Sequence, residues 1–459
     1  MEAVMAIKNY RIYQKRRRRL AENLGKNGVI FVPGAKAVAR NADIEYPFRQ
    51  ESGFLYLTGF TEPNALLVLR GGKRPQSILF CSPKDAKQEI WNGKRFGPEG
   101  ARQEFGFHQT FANTDIEEKI RECSDLLCGC NVIYYPIHRK ESLRVIIDSA
   151  LGRRKEHRKN ILFLDGDRLL GEMRLRKDAA DVEQMAHAAQ ISAEAHKEIL
   201  TVVHPGMTEI ELEAEFTYRF RRAGGDPCHA YAPIVATGAN ACTLHHISTN
   251  AHIRSGDLVL VDAGCEYEGY ASDITRTFPA NGKFTPEQRA IYEIVLAAQK
   301  AAMTMACPGE RLSSVHNAAA LVIGEGLMRL GLLKKMDLFK AVRTNMHRPF
   351  FPHGTSHWLG LDVHDAGDYI VDADGKNARV LLQGMVITVE PGIYIQPHTP
   401  RVEKRWRGIG VRIEDDVLIT EEGNRVLSAE APKEVAEIEA IMKERNGKRR
   451  RGGRLKETK

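Results

Sequence analysis

No apolar run in the 459-residue chain approaches the ~18 residues that a membrane span requires. Eight cysteines, at positions 81, 123, 128, 130, 228, 242, 265 and 307, form no C-x-x-C pair. That excludes zinc-ribbon and thioredoxin-like readings and favours reduced, mostly buried thiols over a disulfide framework. The basic stretch Lys15 to Arg19 is followed by LAENLGKNGVI, too polar for a secretory leader, so a cytoplasmic protein without a membrane role is expected. Net charge is scarce outside one place. Of the formal +8, nearly all lies in residues 443–459, which hold nine Lys or Arg against two Glu. This Gly-interrupted, apolar-poor tail reads as solvated and without structure, and carries no specific nucleic-acid site. The Arg16 to Arg19 run is expected on the polar face of an opening helix.

What is present is an ordinary globular composition, 43% hydrophobic and 27% charged, at a length that suits two domains. GVIFVPG, ALLVLRGG, SILFCSP, NVIYYP and ILFLDGD read as strands of an α/β unit, with SLRVIIDSALGRRKEHRK as a helix between the last two. From about residue 172 the texture changes to a long Ala-rich helical stretch, MRLRKDAADVEQMAHAAQISAEAHKEILTVV. We therefore expect three parts: residues 1–172, a second domain over 173–440, and the basic tail 441–459.

The second region repeats itself weakly. SGDLVLVDAG and QGMVITVEPG align from Gly256 on Gly384, which sets Asp262 against Glu390. Upstream, HPGMTEIELEAEF and CPGERLSSVHNAA both offer Pro-Gly followed by a helical pattern. Two related αβ halves facing one another are implied, with Asp262 and Glu390 directed to a common centre.

DAGCEYEGYASDITRTF reads as a hairpin. With Glu266 opposite Gly269, Asp262 falls opposite Asp273, their Cβ atoms about 5 Å apart, a repulsive pair unless a cation or shared proton intervenes. FFPHGTSHWLGLDVHDAG adds His353, His357 and His364, and GIGVRIEDDVLIT adds Arg412 and Glu414 on one face of a strand. Each acid or histidine alone reads as a surface or turn residue. Four carboxylates on apolar strands beside a histidine cluster do not, because strands bury acids only when these are paired or bind metal. The donor set is hard and oxygen-rich, suited to manganese first, then cobalt, zinc or magnesium, and four acids suffice for two ions.

These segments, with EYPFRQESGFLYLTGFTEPNALLVL near the N-terminus, resemble the aminopeptidase P family of the creatinase and methionine-aminopeptidase superfamily over nearly the whole chain. The resemblance implies an α/β (α+β) chain: a creatinase-like N-terminal domain followed by a pita-bread domain with pseudo-twofold halves. It implies that Asp262, Asp273, His357, Glu390 and Glu414 bind two divalent ions, Mn2+ first, with Asp273 and Glu414 bridging. It implies release of the first residue from peptides with proline second, by a metal-bridging hydroxide. Glu390 would move the proton, His245 and His364 would face the carbonyl, and His353 would assist. Tyr394 and Arg412 would hold ligating carboxylates, Tyr231 would lie near the substrate, and Trp91 and Asp43 would reach a neighbouring subunit's cleft in a homo-oligomer. Prolidase shares the metal site; methionine aminopeptidase lacks the large N-terminal domain; a non-catalytic peptide- or histone-binding module would have lost ligands.

Overall fold

The computed structural model describes residues 10–72, 75–122, 127, 129–138, 141–151, 161–371 and 378–454. Contacts divide the chain into two units, Met1–Arg174 and Leu175–Lys459. In the first, six strands form one sheet in the order Gln109–Ala112, Gln76–Cys81, Leu66–Arg70, Gly28–Pro33, Val132–Tyr135, Leu162–Asp165. The middle three pair antiparallel and the outer ones parallel. Alternation along these strands sends Val29, Phe31, Leu66, Val68, Ile78 and Phe80 into one core. The helix read from SLRVIIDSALGRRKEHRK is present over Glu141–Leu151, and its remainder, 152–159, lies outside the described residues.

The opening helix Tyr10–Leu24 corrects one expectation: Arg16 and Arg17 do not face solvent, being only 5% and 3% exposed. Arg17 donates from Nη1 to the Leu57 carbonyl and from Nη2 to the Phe105 carbonyl, both at 2.9 Å. These carbonyls close the helices Ser52–Thr58 and Gly97–Phe105, whose last C=O groups lack intrahelical donors. One guanidinium thus caps two helix C-termini, and stacks 4.4 Å from the Phe107 ring centroid. Burial lowers its pKa to about 10, still far above neutrality.

The long Ala-rich stretch that begins at Met173 is not one helix. Asp178 accepts from the Ala180 and Asp181 amides and starts a new helix, Ala179–Val202, after Gly166–Leu175 has ended. Glu209–Arg222 follows. A second pair of helices, Pro286–Met305 and Leu312–Arg329, repeats this order across its own Pro-Gly loop. Each helix pair precedes or follows an antiparallel hairpin entered in the same way, Gly256 and Gly384 having φ of 93° and 87°.

The first hairpin keeps one register from Leu258↔Pro279 through Asp262↔Thr275 to Tyr267↔Tyr270. Its turn is therefore Glu268–Gly269, with φ of 48° and 81°, the positive pair of a type I′ turn. This corrects the pairing expected from the sequence. Asp262 faces Thr275, and Asp273 is two residues along the same face rather than directly opposite. In the second hairpin Val389 pairs with Asp415 and Gly392 with Arg412. The unbroken register sets Glu390 opposite Glu414 in the gap between the two ladders. The directly opposed acids are there.

The hairpins meet along a seam that the repeat explains. Val261 and Val389 are equivalent, and their partners are Arg276 and Asp415. Those two partners form a buried ion pair with each other, Nη2 to Oδ1 2.7 Å. Thr275 donates to Glu414 Oε2 at 2.6 Å, and the Asp273 amide donates to Asp416. Asp415 also takes Lys433 at 2.5 Å and Gln299 at 2.7 Å. The last helix spans Val435–Arg454, so backbone expected to be unstructured from residue 441 is helical to 454; Lys and Arg extend the register of EIEAIM despite the glycines. Residues 455–459 lie outside the described residues.

Gly264 lies against the opposite hairpin strand, where a β carbon would collide with the Ser272 carbonyl oxygen. Gly264→Ala should cost on the order of 1–3 kcal/mol, read from the urea midpoint; an unchanged midpoint would contradict the close approach. Burial alone would raise the Asp415 pKa, but Arg276 and Lys433 bring it down to about 2. A depressed carboxyl stabilises the fold above its ordinary value of 3.8 and loses that contribution as pH falls through about 2. Urea titrations should show a loss on the order of 2 kcal/mol across that window, with a flatter slope in Asp415→Asn.

Candidate metal centre and cleft

The broken ladders of the two hairpins open beside a cleft of about 650 Å³. Ten of the residues singled out in the sequence line it: Tyr231, His245, Asp262, Asp273, His353, His357, His364, Glu390, Arg412 and Glu414. Tyr394 is buried behind them. Trp91, 81% exposed, and Asp43, also exposed, belong to the first unit and are not among the lining residues. Arg412 ends the strand Ile409–Arg412 and Asp415 begins the next, so Glu414 sits in the break rather than within a strand.

Ligand atoms of Asp273, His357 and Glu414 all lie within 4.8 Å of one another. His357 Nδ1 faces the Trp358 carbonyl at 3.0 Å, which fixes a proton on that nitrogen and turns Nε2 toward the acids. Nε2 is 3.3 Å from Asp273 Oδ2 and 3.7 Å from Glu390 Oε1. Burial disfavours charge on this ring, yet Asp273 and Glu390 push its pKa up to about 9. Burial also lifts Glu390 to about 7, against the charges of His357 and Arg412. Burial, with Asp273 and Glu390 nearby, raises Glu414 well above the carboxylate range. These shifts share one origin, surplus negative charge in a place poor in water. A divalent cation among one imidazole and several carboxylates satisfies both the charge and the donor chemistry.

Asp262 is provided for differently. Arg412 Nη2 and the Tyr231 hydroxyl each donate to it at 2.5 Å. Arg412 also donates to Thr275 Oγ1 at 3.0 Å and to the Tyr394 oxygen at 3.1 Å. His353 Nδ1 lies 2.7 Å from the Gly354 carbonyl and so must donate; Nε2, 2.9 Å from Tyr394, then accepts from the phenol. Burial and the Arg412 charge take the His353 pKa down to about 3, consistent with this neutral tautomer. Arg412, Tyr394 and His353 thus form one chain of donors with a single direction. The His364 ring meets His357 edge-on, centroids 4.3 Å apart.

Sequence reasoning missed Thr275, which serves both Glu414 and Arg412. Strand alternation would have found it, two residues beyond Asp273 on the same face. It also missed Thr388, which accepts the His357 amide, and Asp416, which receives the Asp273 amide. The first is revealed only where the His357 segment bridges to the strand Val386–Val389, the second only where the two hairpins meet.

Residues 183–421 match the model of metallopeptidase family M24, and residues 13–128 match that of the aminopeptidase P N-terminal domain. The Xaa-Pro aminopeptidase of Escherichia coli K12 is 42% identical over 437 residues, covering 94% of this chain and 97% of that protein. The structure of Pseudomonas aeruginosa aminopeptidase PepP superposes with a TM-score of 0.90 at 43% identity, covering 95% of this chain and 99% of that one. That of E. coli aminopeptidase P with the inhibitor Pro-Leu gives 0.89 at 41%, covering 96% and 99%. The chain belongs to the aminopeptidase P group of metallopeptidase family M24.

For an M24 metallopeptidase, the cluster of Asp273, His357 and Glu414 is the feature that fits a metal. Asp262 and Glu390 flank it from equivalent places in the two halves. Among the described residues no helix is long and apolar enough to cross a membrane. Divalent metal retained after dialysis, measured by elemental analysis, should fall severalfold in Asp273→Ala. Wild-type metal content in that variant would count against the cluster.

Proposed function

We propose that this chain is a metal-dependent aminopeptidase that releases the first residue from peptides with proline in second place. The observation that carries the reading is the Asp273–His357–Glu414 cluster beside the cleft of a chain in the aminopeptidase P group. Asp262, Asp273, His357, Glu390 and Glu414 would hold two divalent ions, with manganese the first candidate for an oxygen-rich donor set. When bound, such a pair supplies Lewis acidity toward water and toward the scissile carbonyl.

The chain's own groups do the rest. Glu390 Oε2 is 3.7 Å from His353 Nδ1, at the cleft, where its carboxylate takes the proton of the attacking water and returns it to the proline nitrogen. His245 and His364 line the same cleft and donate to the carbonyl oxygen as charge develops on it. The chain Arg412–Tyr394–His353 fixes the His353 ring, and Arg412 with Tyr231 fixes Asp262. Proline offers no amide hydrogen, so a site shaped for its ring selects by packing. Further parts of the reading are a catalytic region over residues 173–440, a cytoplasmic location, and a homo-oligomer in which Trp91 and Asp43 serve a neighbouring subunit's cleft. Peptides are the partners, with no specific nucleic acid or membrane.

The test is kcat/KM for Xaa-Pro-Yaa and longer peptides, Xaa-Ala-Yaa and the dipeptide Xaa-Pro at equal metal loading. Xaa-Pro-Yaa should exceed Xaa-Ala-Yaa by at least about tenfold. A strong preference for the bare dipeptide would overturn the assignment in favour of a prolidase.

A further inference from the structure

The histidine at 245 reaches the cleft from a segment with little structure of its own. Residues 238–242 form a single 3-10 turn, and 243–249 belong to no helix or strand. Ile247 at its tip is 83% exposed. Among the described residues no hydrogen bond holds the His245 ring, so its position is set by what holds its neighbours. On one side Cys242 is clamped: Gln396 donates to its carbonyl at 2.6 Å, and its thiol donates to the Ile395 carbonyl at 3.4 Å.

The other clamp is one side chain. Glu209, the first residue of the helix Glu209–Arg222, is fully buried. Its Oε1 accepts from the Thr237 amide at 2.9 Å and from Asn240 Nδ2 at 2.8 Å. Its Oε2 accepts from the Thr249 amide at 3.0 Å, the Thr249 hydroxyl at 2.8 Å and His246 Nε2 at 2.8 Å. Five donors therefore converge on one carboxylate, which uses all of its acceptor capacity. They come from both ends of the loop and from its middle. No lysine or arginine is among these partners; the loop and the start of the helix supply the stabilisation. Burial alone would raise the Glu209 pKa, but these hydrogen bonds lower it and keep the group ionised.

We propose that Glu209 is a positioning residue for the peptidase reaction, holding residues 237–249 so that His245 stands where it meets the substrate carbonyl. The inference rests on the functional reading above. It assigns a buried acid, some forty residues from the loop's far end in sequence, to the placement of a group that, among the described residues, forms no hydrogen bond of its own.

The test pairs Glu209→Gln and the milder Thr249→Ala with His245→Ala, using metal-loaded enzyme and an Xaa-Pro-Yaa peptide. Glu209→Gln should lower kcat about 10- to 100-fold, and Thr249→Ala about 3- to 10-fold, with metal content unchanged. In the His245→Ala background neither change should lower kcat further, because the group being placed is gone. A merely structural role would slow both backgrounds equally, and that result overturns the proposal. The His245 ring resonance, observed by NMR without substrate, should move in Glu209→Gln and Thr249→Ala; an unchanged resonance in both also overturns it. Failure of the wild type to release the first residue would defeat the functional reading instead, while the ring resonance would still decide the part of Glu209.

Discussion

Buried negative charge is the constraint on which the catalytic unit depends. Asp262, Asp273, Glu414, Asp415 and Asp416 are all buried where the two hairpins abut, with Glu390 beside them. Each would be intolerable alone in a medium of low polarity. The fold answers some of them internally. Asp415 has Arg276, Lys433, Gln299 and Ser428; Asp262 has Arg412 and Tyr231. Among the described residues, Asp273, Glu390 and Glu414 are left with the imidazoles of His357 and His353 and the hydroxyls of Thr275 and Thr388. The protein thus distributes its cations unevenly, and the remainder of the charge is what fits the cluster of Asp273, His357 and Glu414 to a metal.

Much of this was legible in the sequence, for a definite reason. Acids on apolar strands contradict their surroundings, and contradictions survive without coordinates. The same holds for the strands of the first unit, whose apolar alternation is local. The pairing of Asp262 was not legible, because EYEG admits two turns. A positive φ at Glu268 as well as Gly269 selects the one that moves the partner strand by two residues. A shift of two leaves every side chain on its face, which is why the composition of the site was right although its pairing was not. Arg17 failed for another reason: a run of four basic residues carries no sign of which one meets a helix end forty residues away.

The supporting groups show where sequence reasoning loses its grip. Thr275, Thr388 and Asp416 are unremarkable residues made consequential by neighbours 100 or more positions distant or, for Thr388, by a bridge between its strand and the His357 segment. Their contribution is orientation, and orientation depends on register and on which strand abuts which. Glu209 is of the same kind, an ordinary helix-start acid until the loop it binds is seen to carry His245.

The pairing of Arg276 with Asp415 has a consequence for how faithfully the two halves can echo each other. Residues that occupy equivalent places and also touch must lie near the axis that relates the halves. Identical side chains there would set arginine against arginine, or aspartate against aspartate, in the least forgiving part of the core. Complementarity across the axis therefore compels dissimilarity in the chain, and the internal repeat must fade as it nears the centre. SGDLVLVDAG and QGMVITVEPG, one strand removed from the contact, can remain recognisably alike. SDITRTF and RIEDDVL, which make it, cannot.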